Sequence, residues 1–406
     1  MHALSTTTVT HFACLFLTRA VLFFLFLFAA AFQFFCWSAV LRASYRRGVE
    51  PDQRDPASGT AAVSVIVCFH NEQKTLGRCV DRILAQVYPG ELELVLVDDN
   101  STDNSASIIH LFEIKHDNVR LLQPGPTRAG KKDALAFGIA AAKHDFLVLT
   151  DADCVPASSH WLWFMADPLR RGTELVLGVS PYTADKENAL LSAWQRFEAT
   201  YVSLKYLGFA RTGMPYMGVG RNLAYRRSFY ERAGGFAAHA DLPGGDDDLL
   251  VSATAQREGT ARVVHPAAWT YSAPQPSWRA YFRQRARHQS VGIRYPAKAQ
   301  WVLGGLALSH GLFYLLGFYL LFTPDWLVAL GAYTFRLLLL IYVYATPYLG
   351  ADAGARSPDW RSAPAPEGGG WRSKVSLPFT VAFFDAWVGP MYLYLAVAGL
   401  RPARSW

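Results

Sequence analysis

Two aspartates one residue apart, Asp151 and Asp153, close the apolar run DFLVLTDAD (145–153). Such a run, after an Ala-rich helical stretch, reads as a buried parallel strand. Ligands of open α/β sheets sit at the carboxyl ends of these strands. A carboxylate pair there can hold a hard divalent cation, Mg²⁺ or Mn²⁺, against a diphosphate. Asp98 and Asp99 close a second apolar run, LELVLV (92–97). A third acidic group, Asp246, Asp247 and Asp248, lies in GGDDDLL (244–250). Three adjacent carboxylates repel, which raises a pKa and suits one of them to proton abstraction. Lys131, at the start of a helical segment, stands where anions are favoured. Each group also has a plain alternative. Asp151 and Asp153 would serve a solvated turn, Lys131 would be a surface lysine, and the other carboxylates would cap or begin helices.

The elements that position these residues alternate. VSVIVCF (63–69), LELVLV (92–97), VRLL (119–122) and 145–150 read as strands. Helical spacing at 72–86, 105–115 and 131–143 separates them. Repeats of this length imply a parallel sheet with right-handed crossovers.

The 406-residue chain is 51% hydrophobic and only 17% charged, too apolar for an ordinary soluble enzyme. Residues 20–41 are long enough to span a bilayer. A cleaved signal peptide would end near Ala29–Ala31, but the apolar run continues ten residues further, into Arg42, Arg46 and Arg47. That favours an anchor (residues 1–47) whose C-terminal side is cytoplasmic, followed by a linker at 48–61. After a domain at 62–300, further spans are expected at about 301–323, 326–348 and 376–400, separated by a polar loop at 350–374. Arg336 and Asp385 lie within the last two, where charges are costly and usually paired, so they are expected to face each other. The net charge is +7, with basic residues clustered at 42–47, 279–298 and 356–374 beside apolar stretches. These read as flanks facing anionic lipid, not as a nucleic-acid surface. Five cysteines without a CxxC pair read as free thiols. The expected location is thus an inner or plasma membrane, with the α/β domain cytoplasmic.

Two motifs mislead. GPTRAGKK (125–132) fits a phosphate-binding NTPase loop, but Lys132 stands where a magnesium-binding Ser or Thr belongs. Gly218-Val219-Gly220 lacks the context of a dinucleotide fingerprint.

Read in order, the segments over roughly residues 60–300 resemble the family 2 glycosyltransferases, close to the polysaccharide synthase group. The segments are VSVIVCFHNE (63–72), LVLVDDNSTDNS (94–105), GKKDAL (130–135), Asp151-Ala152-Asp153, YMGVGRNLAYRR (216–227), GGDDDLL and QRARH (284–288). The resemblance implies a GT-A fold, Rossmann-like with a mostly parallel sheet, plus transmembrane helices. It implies that Asp99, with Asp98 beside it, contacts the nucleotide base. Lys131 and Asp151 would meet the diphosphate, and Asp153 with Asp151 would hold the metal. Asp247 would be the catalytic base. Gly218, Gly220, Asn222, Asp246 and His288 would line the acceptor side. QRARH resembles the QxxRW motif, so Gln284 and Arg287 would face the diphosphate. The motif's Trp is replaced by His288, which can stack on an acceptor or titrate near pH 6–7. The implied reaction is metal-dependent, inverting transfer of a sugar from a nucleotide-sugar donor to a lipid-linked or saccharide acceptor. The competing readings are a membrane-anchored NTPase and a non-catalytic GT-A scaffold. Arg226 and Arg227 read as a solvated helix edge.

Overall fold

The computed structural model describes residues 6–45, 61–242, 244–353 and 377–399. Nearly all of the expected linker and most of the polar loop before residue 376 lie outside the described residues, as do Arg46 and Arg47.

A 40-residue helix, α1 (Thr6–Tyr45), comes first. Strands and helices then alternate: β1 (Val63–Phe69), α2 (Leu76–Leu84), β2 (Leu92–Asp98), α3 (Ser105–Lys115), β3 (Val119–Leu122), α4 (Lys132–Ala141) and β4 (Phe146–Leu149). A less regular half follows with β5 (Val155–Pro156), α5 (Trp161–Arg170), β6 (Leu175–Leu177), α6 (Ala189–Arg211), β7 (Leu223–Arg226), α7 (Arg227–Arg232), α8 (Asp248–Thr254), β8 (Thr260–Arg262) and β9 (Thr270–Tyr271). The last helices are α9 (Trp278–Gln289), α10 (Ala297–Leu320), α11 (Trp326–Ala353) and α12 (Leu377–Gly399).

Seven strands form one sheet in the order β3-β2-β1-β4-β7-β6-β8. Strands β1 to β4 are mutually parallel, as expected. Only β7 breaks the pattern, pairing antiparallel with both β4 and β6. The chain order reverses between β1 and β4. That is the switch point at which open α/β sheets form a crevice.

The strands are apolar at nearly every position because helices cover both faces. Val63, Val65, Val67 and Phe69 of β1 face one core, which includes α2 and α5. Ile66 faces the other, with Leu135 and Ile139 of α4. Helix α2 buries Leu76, Cys79, Val80 and Ile83, a spacing that places one stripe against the sheet. Each such side chain stabilises the fold by about 1.5–3 kcal/mol on burial. The second core also contains Cys36 of α1, Tyr206 and Leu207 of α6, and Leu306 of α10. The apolar helices therefore pack directly onto the layer that carries the sheet.

Helix α1 packs along α10, with the rings of Phe26 and Phe313 stacked at 5.5 Å. Phe24, Phe28, Leu315 and Phe318 point outward and are exposed. Two described segments, Phe16–Val40 and Ala297–Leu320, are long and apolar enough to cross a bilayer, and α11 has a shorter apolar stretch, Trp326–Tyr342. The expected Arg336–Asp385 pair is present. Nε and Nη2 of Arg336 donate to the two Asp385 oxygens at 2.6 and 2.9 Å. Nη1 donates to Gln33 Oε1 on α1 at 2.8 Å, and Nη2 also meets His310 Nδ1 on α10 at 3.0 Å. Arginine can only donate, so His310 carries its hydrogen on Nε2 and donates it to the Asp385 carbonyl at 3.0 Å. Tyr314 of α10 donates to the same carboxylate at 2.5 Å. Side chains from α1, α10, α11 and α12 thus share one buried polar network.

Candidate active site

Loops at the carboxyl ends of β1 and β2 form one wall. Asn71 and Asn100 follow these strands with φ of 57° and 60°, a left-handed conformation that costs most residues about 1–2 kcal/mol. Such strain collects at functional sites. The Asn71 amide oxygen accepts from the backbone N–H groups of Thr102 and Asp103 at 2.7 and 3.2 Å, tying the two loops together. Asp98 accepts from the Ser101 N–H at 2.8 Å and from Gln123 at 3.2 Å, so it serves the loop. Asp99 accepts from Thr127 at 2.5 Å. The turn before α3 is held by Asp103, which accepts from the Ser105 N–H at 2.9 Å.

The acidic groups meet at Lys131. Its ammonium lies 2.9 Å from Asp151 Oδ1 and 2.9 Å from Asp246 Oδ2. Burial works against its charge, but Asp151, Asp246 and Asp247 override it and hold the pKa well above the ordinary lysine value. Burial likewise works to raise Asp151, and Lys131 reverses that to leave its carboxyl below the usual range. Asp153 has no ion-pair partner among the described residues. Burial and then the Asp151 charge push it up to about 6, against the pull of Arg221. A divalent cation would relieve that frustration, and two hard oxygen donors suit Mg²⁺ or Mn²⁺. No cluster of three or more His, Cys, Asp or Glu able to hold a metal occurs among the described residues. The pair would share such a cation with a ligand's oxygens or with water.

Asp247 caps α8, its Oδ1 accepting from the Asp248 N–H at 2.8 Å. Its Oδ2 accepts from the Gly220 N–H at 2.7 Å. Asp246 and Asp248 are buried, while Asp247 keeps partial exposure. Burial and then Asp246 raise the Asp247 pKa, and burial and then Asp247 raise Asp248 well above the usual range. Tyr295 donates to Asp248 at 2.9 Å. Helix capping and a raised carboxylate pKa thus coincide at this motif. A Cβ at Gly220 would stand 2.9 Å from the Lys131 ammonium and 3.5 Å from Asp246 and Asp247. Only glycine leaves this ion cluster undisturbed.

Helix α9 borders the other side. Gln284 holds its Oε1 buried without a hydrogen-bond partner among the described residues. Arg287 has no ion-pair partner there either, and its charge acts on Asp151. Arg285 pairs through Nη2 with Glu198 of α6 at 2.6 Å, while its Nε is buried without a hydrogen-bond partner among the described residues. His288 is accessible to solvent yet recessed among protein atoms. Desolvation and then Arg285, Arg287, Arg221 and Lys131 hold its pKa well below the usual histidine range. Desolvation first, and the surrounding cations after it, thus place its titration below the pH 6–7 expected from the sequence.

Sequence reasoning passed over Arg221. Its carbonyl accepts from the Thr150 and Thr270 hydroxyls, both at 2.9 Å, which fixes the main chain. Its guanidinium lies over the Tyr182 ring at 4.4 Å and donates to Ser272 at 2.6 Å. Two expected acceptor-side residues face elsewhere. Asn222 is wholly buried, its amide nitrogen donating to the Val179 and Ala268 carbonyls at 2.8 Å and its oxygen accepting from Trp161 at 3.0 Å. Gly218 packs into the core, where an added Cβ would stand 2.7 Å from Leu223. Arg226 and Arg227 are no solvated edge. Arg226 donates to the Thr173 carbonyl at 2.9 Å, and Arg227 to the carbonyls of Ala142 and His144 at 2.7 and 3.0 Å. They satisfy chain ends that leave α5 and α4. Lys132, in the NTPase-like stretch, is buried with its ammonium on the His239 carbonyl, so it is not open to phosphate.

Fold and site together define a ligand-binding α/β sheet with its acidic residues gathered at the switch point. A family profile described as glycosyltransferase like family 2 matches residues 60–290. The chain belongs to that family, and its sheet has the GT-A fold. It is 26% identical over 301 residues to the probable glycosyltransferase YdaM of Bacillus subtilis strain 168, covering 67% of this chain and 66% of that one. It is 38% identical over 91 residues to the glycosyltransferase GlyG of Streptococcus pneumoniae serotype 4, covering 22% of this chain and 30% of that one. It thus spans just under two thirds of the first relative's length and less than a third of the second's. Among solved structures, the mannosyltransferase PcManGT from Pyrobaculum calidifontis, in complex with GDP-Man and Mn²⁺, superposes with a TM-score of 0.58 at 21% identity. That likeness covers 95% of this chain and 99% of that one.

Proposed function

We propose that the protein transfers a sugar, with inversion, from a nucleotide-sugar donor to a hydroxyl of a lipid-linked or saccharide acceptor at the cytoplasmic face of a membrane. The observation that carries this reading is the meeting of Asp151, Asp246 and the Asp247 turn around Lys131, beside Asp153, at the β1/β4 switch point. The nucleotide base lies against Asp99, with its diphosphate toward Lys131 and Arg287. A divalent cation on Asp151 and Asp153 supplies a Lewis acid for the departing diphosphate. Lys131 stabilises the negative charge that grows on the leaving group. Asp247 takes the proton of the acceptor hydroxyl as its oxygen bonds to the anomeric carbon. The bond to the diphosphate breaks in the same displacement, which inverts the anomeric configuration. The presence of both GDP-Man and Mn²⁺ in the neighbouring PcManGT structure supports a divalent cation here.

The apolar helices packed under the sheet favour an acceptor that arrives from the bilayer. We read α1, α10, α11 and α12 as its spans. Thermal stabilisation of the detergent-purified chain by nucleoside diphosphates and nucleotide sugars, with and without Mn²⁺, tests the reading. A metal-dependent shift for one nucleotide sugar is expected, lost in Asp153→Ala and kept in Asp247→Asn. Transfer by Asp247→Asn falls by about 10²–10⁴-fold, the usual contribution of a general base. If no nucleotide ligand shifts the wild-type protein, the reading fails.

A further inference from the structure

We propose that Lys132 is a positioning residue for the base, holding the start of the segment whose end carries Asp246 and Asp247. This rests on the glycosyltransferase reading and adds to it a residue that touches neither substrate. Three observations carry it. First, two neighbouring lysines hold that segment at its two ends. The Lys132 ammonium donates to the His239 carbonyl, and the Lys131 ammonium lies 2.9 Å from Asp246 Oδ2. Both stand at the start of α4, which Lys131 caps. That start is itself clamped. Arg128 donates to the two Asp133 oxygens, from Nη2 at 2.6 Å and from Nε at 3.0 Å, and its N–H adds a third bond at 2.9 Å. The lysines therefore hang on a fixed platform.

Second, the segment has few holds of its own. The His239 ring meets Phe236 edge-on at 6.0 Å, and the Leu242 N–H donates to the His239 carbonyl at 3.2 Å. Asp241 pairs with Arg294 at 3.1 Å, but both are exposed, and such a pair adds little in water. Gly244 and Gly245 bring no side chain, and Gly245 adopts a φ of 93°, which glycine reaches at little cost. Where Asp246 and Asp247 stand thus depends on where His239 is held.

Third, an ammonium is costly where this one lies. Lys132 is 4% exposed, with the His239 carbonyl as its hydrogen-bond acceptor and no ion-pair partner among the described residues. Burial lowers its pKa, and Asp246 is the foremost charge working the other way. A methionine would fill similar space without that cost, and the His239 carbonyl would keep the Leu242 N–H as a donor. The charge therefore answers to the site and not to stability. The two lysines divide the work. On the proposed reading Lys131 turns toward the diphosphate, whereas Lys132, out of a ligand's reach, keeps the turn in place while Asp247 takes the proton.

The experiment compares the full chain with Lys132→Met and Lys132→Arg, in detergent and in membranes. It reads thermal midpoints, backbone hydrogen exchange, affinity for UDP and GDP with Mn²⁺, and turnover as nucleoside diphosphate released from UDP-glucose, UDP-N-acetylglucosamine and GDP-mannose. Lys132→Met is expected to unfold no earlier than wild type. Exchange of its Leu242, Gly245 and Asp246 N–H groups rises by about tenfold, while β1 and β2 keep their protection. Turnover falls by about 10- to 100-fold, the usual cost of a displaced catalytic group. Nucleoside diphosphate affinity stays within about twofold of wild type, since its contacts lie elsewhere. Lys132→Arg, which keeps the charge and the donor, recovers part of both protection and turnover. Unchanged exchange in Lys132→Met overturns the proposal, even where none of these donors is turned over. Turnover that falls only as far as nucleoside diphosphate affinity also overturns it, by assigning Lys132 to the donor. A lower thermal midpoint that accounts for the lost turnover overturns it too, because the lysine would then serve stability alone. Wild type that neither binds nor releases a nucleoside diphosphate overturns the reading beneath, and exchange still decides whether Lys132 holds the turn.

Discussion

Asp153 is the side chain most at odds with its surroundings. Its pKa is pushed up to about 6 by burial and by Asp151. An unfolded aspartate titrates near about 3.9, so between about 4 and about 6 the folded chain binds the extra proton. Stability of the metal-free protein is therefore expected to fall as pH rises through that window. On the proposed reading a cation would compete with the same proton, so Mn²⁺ affinity is expected to rise over the same window and activity to gain its acid limb there. Thermal midpoints of the metal-free wild type and Asp153→Asn across pH 4.5–7.5 check this, and equal slopes would remove Asp153 as the cause. Asp151, Asp153 and Asp247 were legible because carboxylates at strand and helix ends announce themselves by type and spacing. Arg221 was not, since an arginine between a glycine and an asparagine carries no pattern. Asn222 was misread for a related reason. Its partners Trp161, Val179 and Ala268 are distant in sequence, so nothing local shows that its amide is fully used.

At the scale of elements, β1 to β4 and the helices between them followed from period alone, because strands covered on both faces write an unbroken apolar run. The short strands β5 to β9 did not, and the reversed β7 least of all. Four residues held in place by neighbours on both sides carry too little pattern. The Arg336–Asp385 pair was legible from cost, since a charge in an apolar helix needs a partner. That cost makes a prediction about α11 and α12. Arg336→Leu or Asp385→Leu alone is expected to destabilise the chain by about 3–5 kcal/mol, by leaving the other charge buried and unpaired. The double change should recover most of that loss. Thermal unfolding in detergent measures all three, and a double variant no better than the singles would mean that the pair is not the unit that matters.

At the scale of the whole molecule, the apolar helices and the sheet form one packed body. Val40 of α1 meets α6 at Gly208, where an added Cβ would stand 3.0–3.2 Å from Val40 side-chain and backbone atoms. Gly208→Leu is expected to force the two helices apart and to destabilise by about 1–3 kcal/mol, even though leucine favours a helix more than glycine does. The same substitution should lower transfer more than it lowers nucleoside diphosphate affinity, because Asp99 and Lys131 lie away from that contact. Paired unfolding and titration curves separate these outcomes. This joining of bilayer helices to the sheet was legible only as two separate signals, apolar length and strand–helix alternation. Of the residues that join them, Cys36 and Leu306 lie inside the expected spans, where apolar length does not show which side chains face the sheet, and Tyr206 belongs to neither pattern.

Lys131 has three N–H donors, and in the free enzyme two of them are engaged by Asp151 and Asp246. On the proposed reading, one carboxylate belongs to the donor's half of the crevice and the other adjoins the base, so a single ammonium would be shared between the two substrates' sides. A cation and diphosphate held at Asp151 would loosen the first claim on that ammonium and draw it toward the phosphate. Asp246 would then be less neutralised, and its charge would press harder on Asp247, so that on this reading the basicity of Asp247 is issued by the donor. Substrates should enter in a fixed sequence, nucleotide sugar before acceptor, and an acceptor arriving first should meet a base too weak to take its proton.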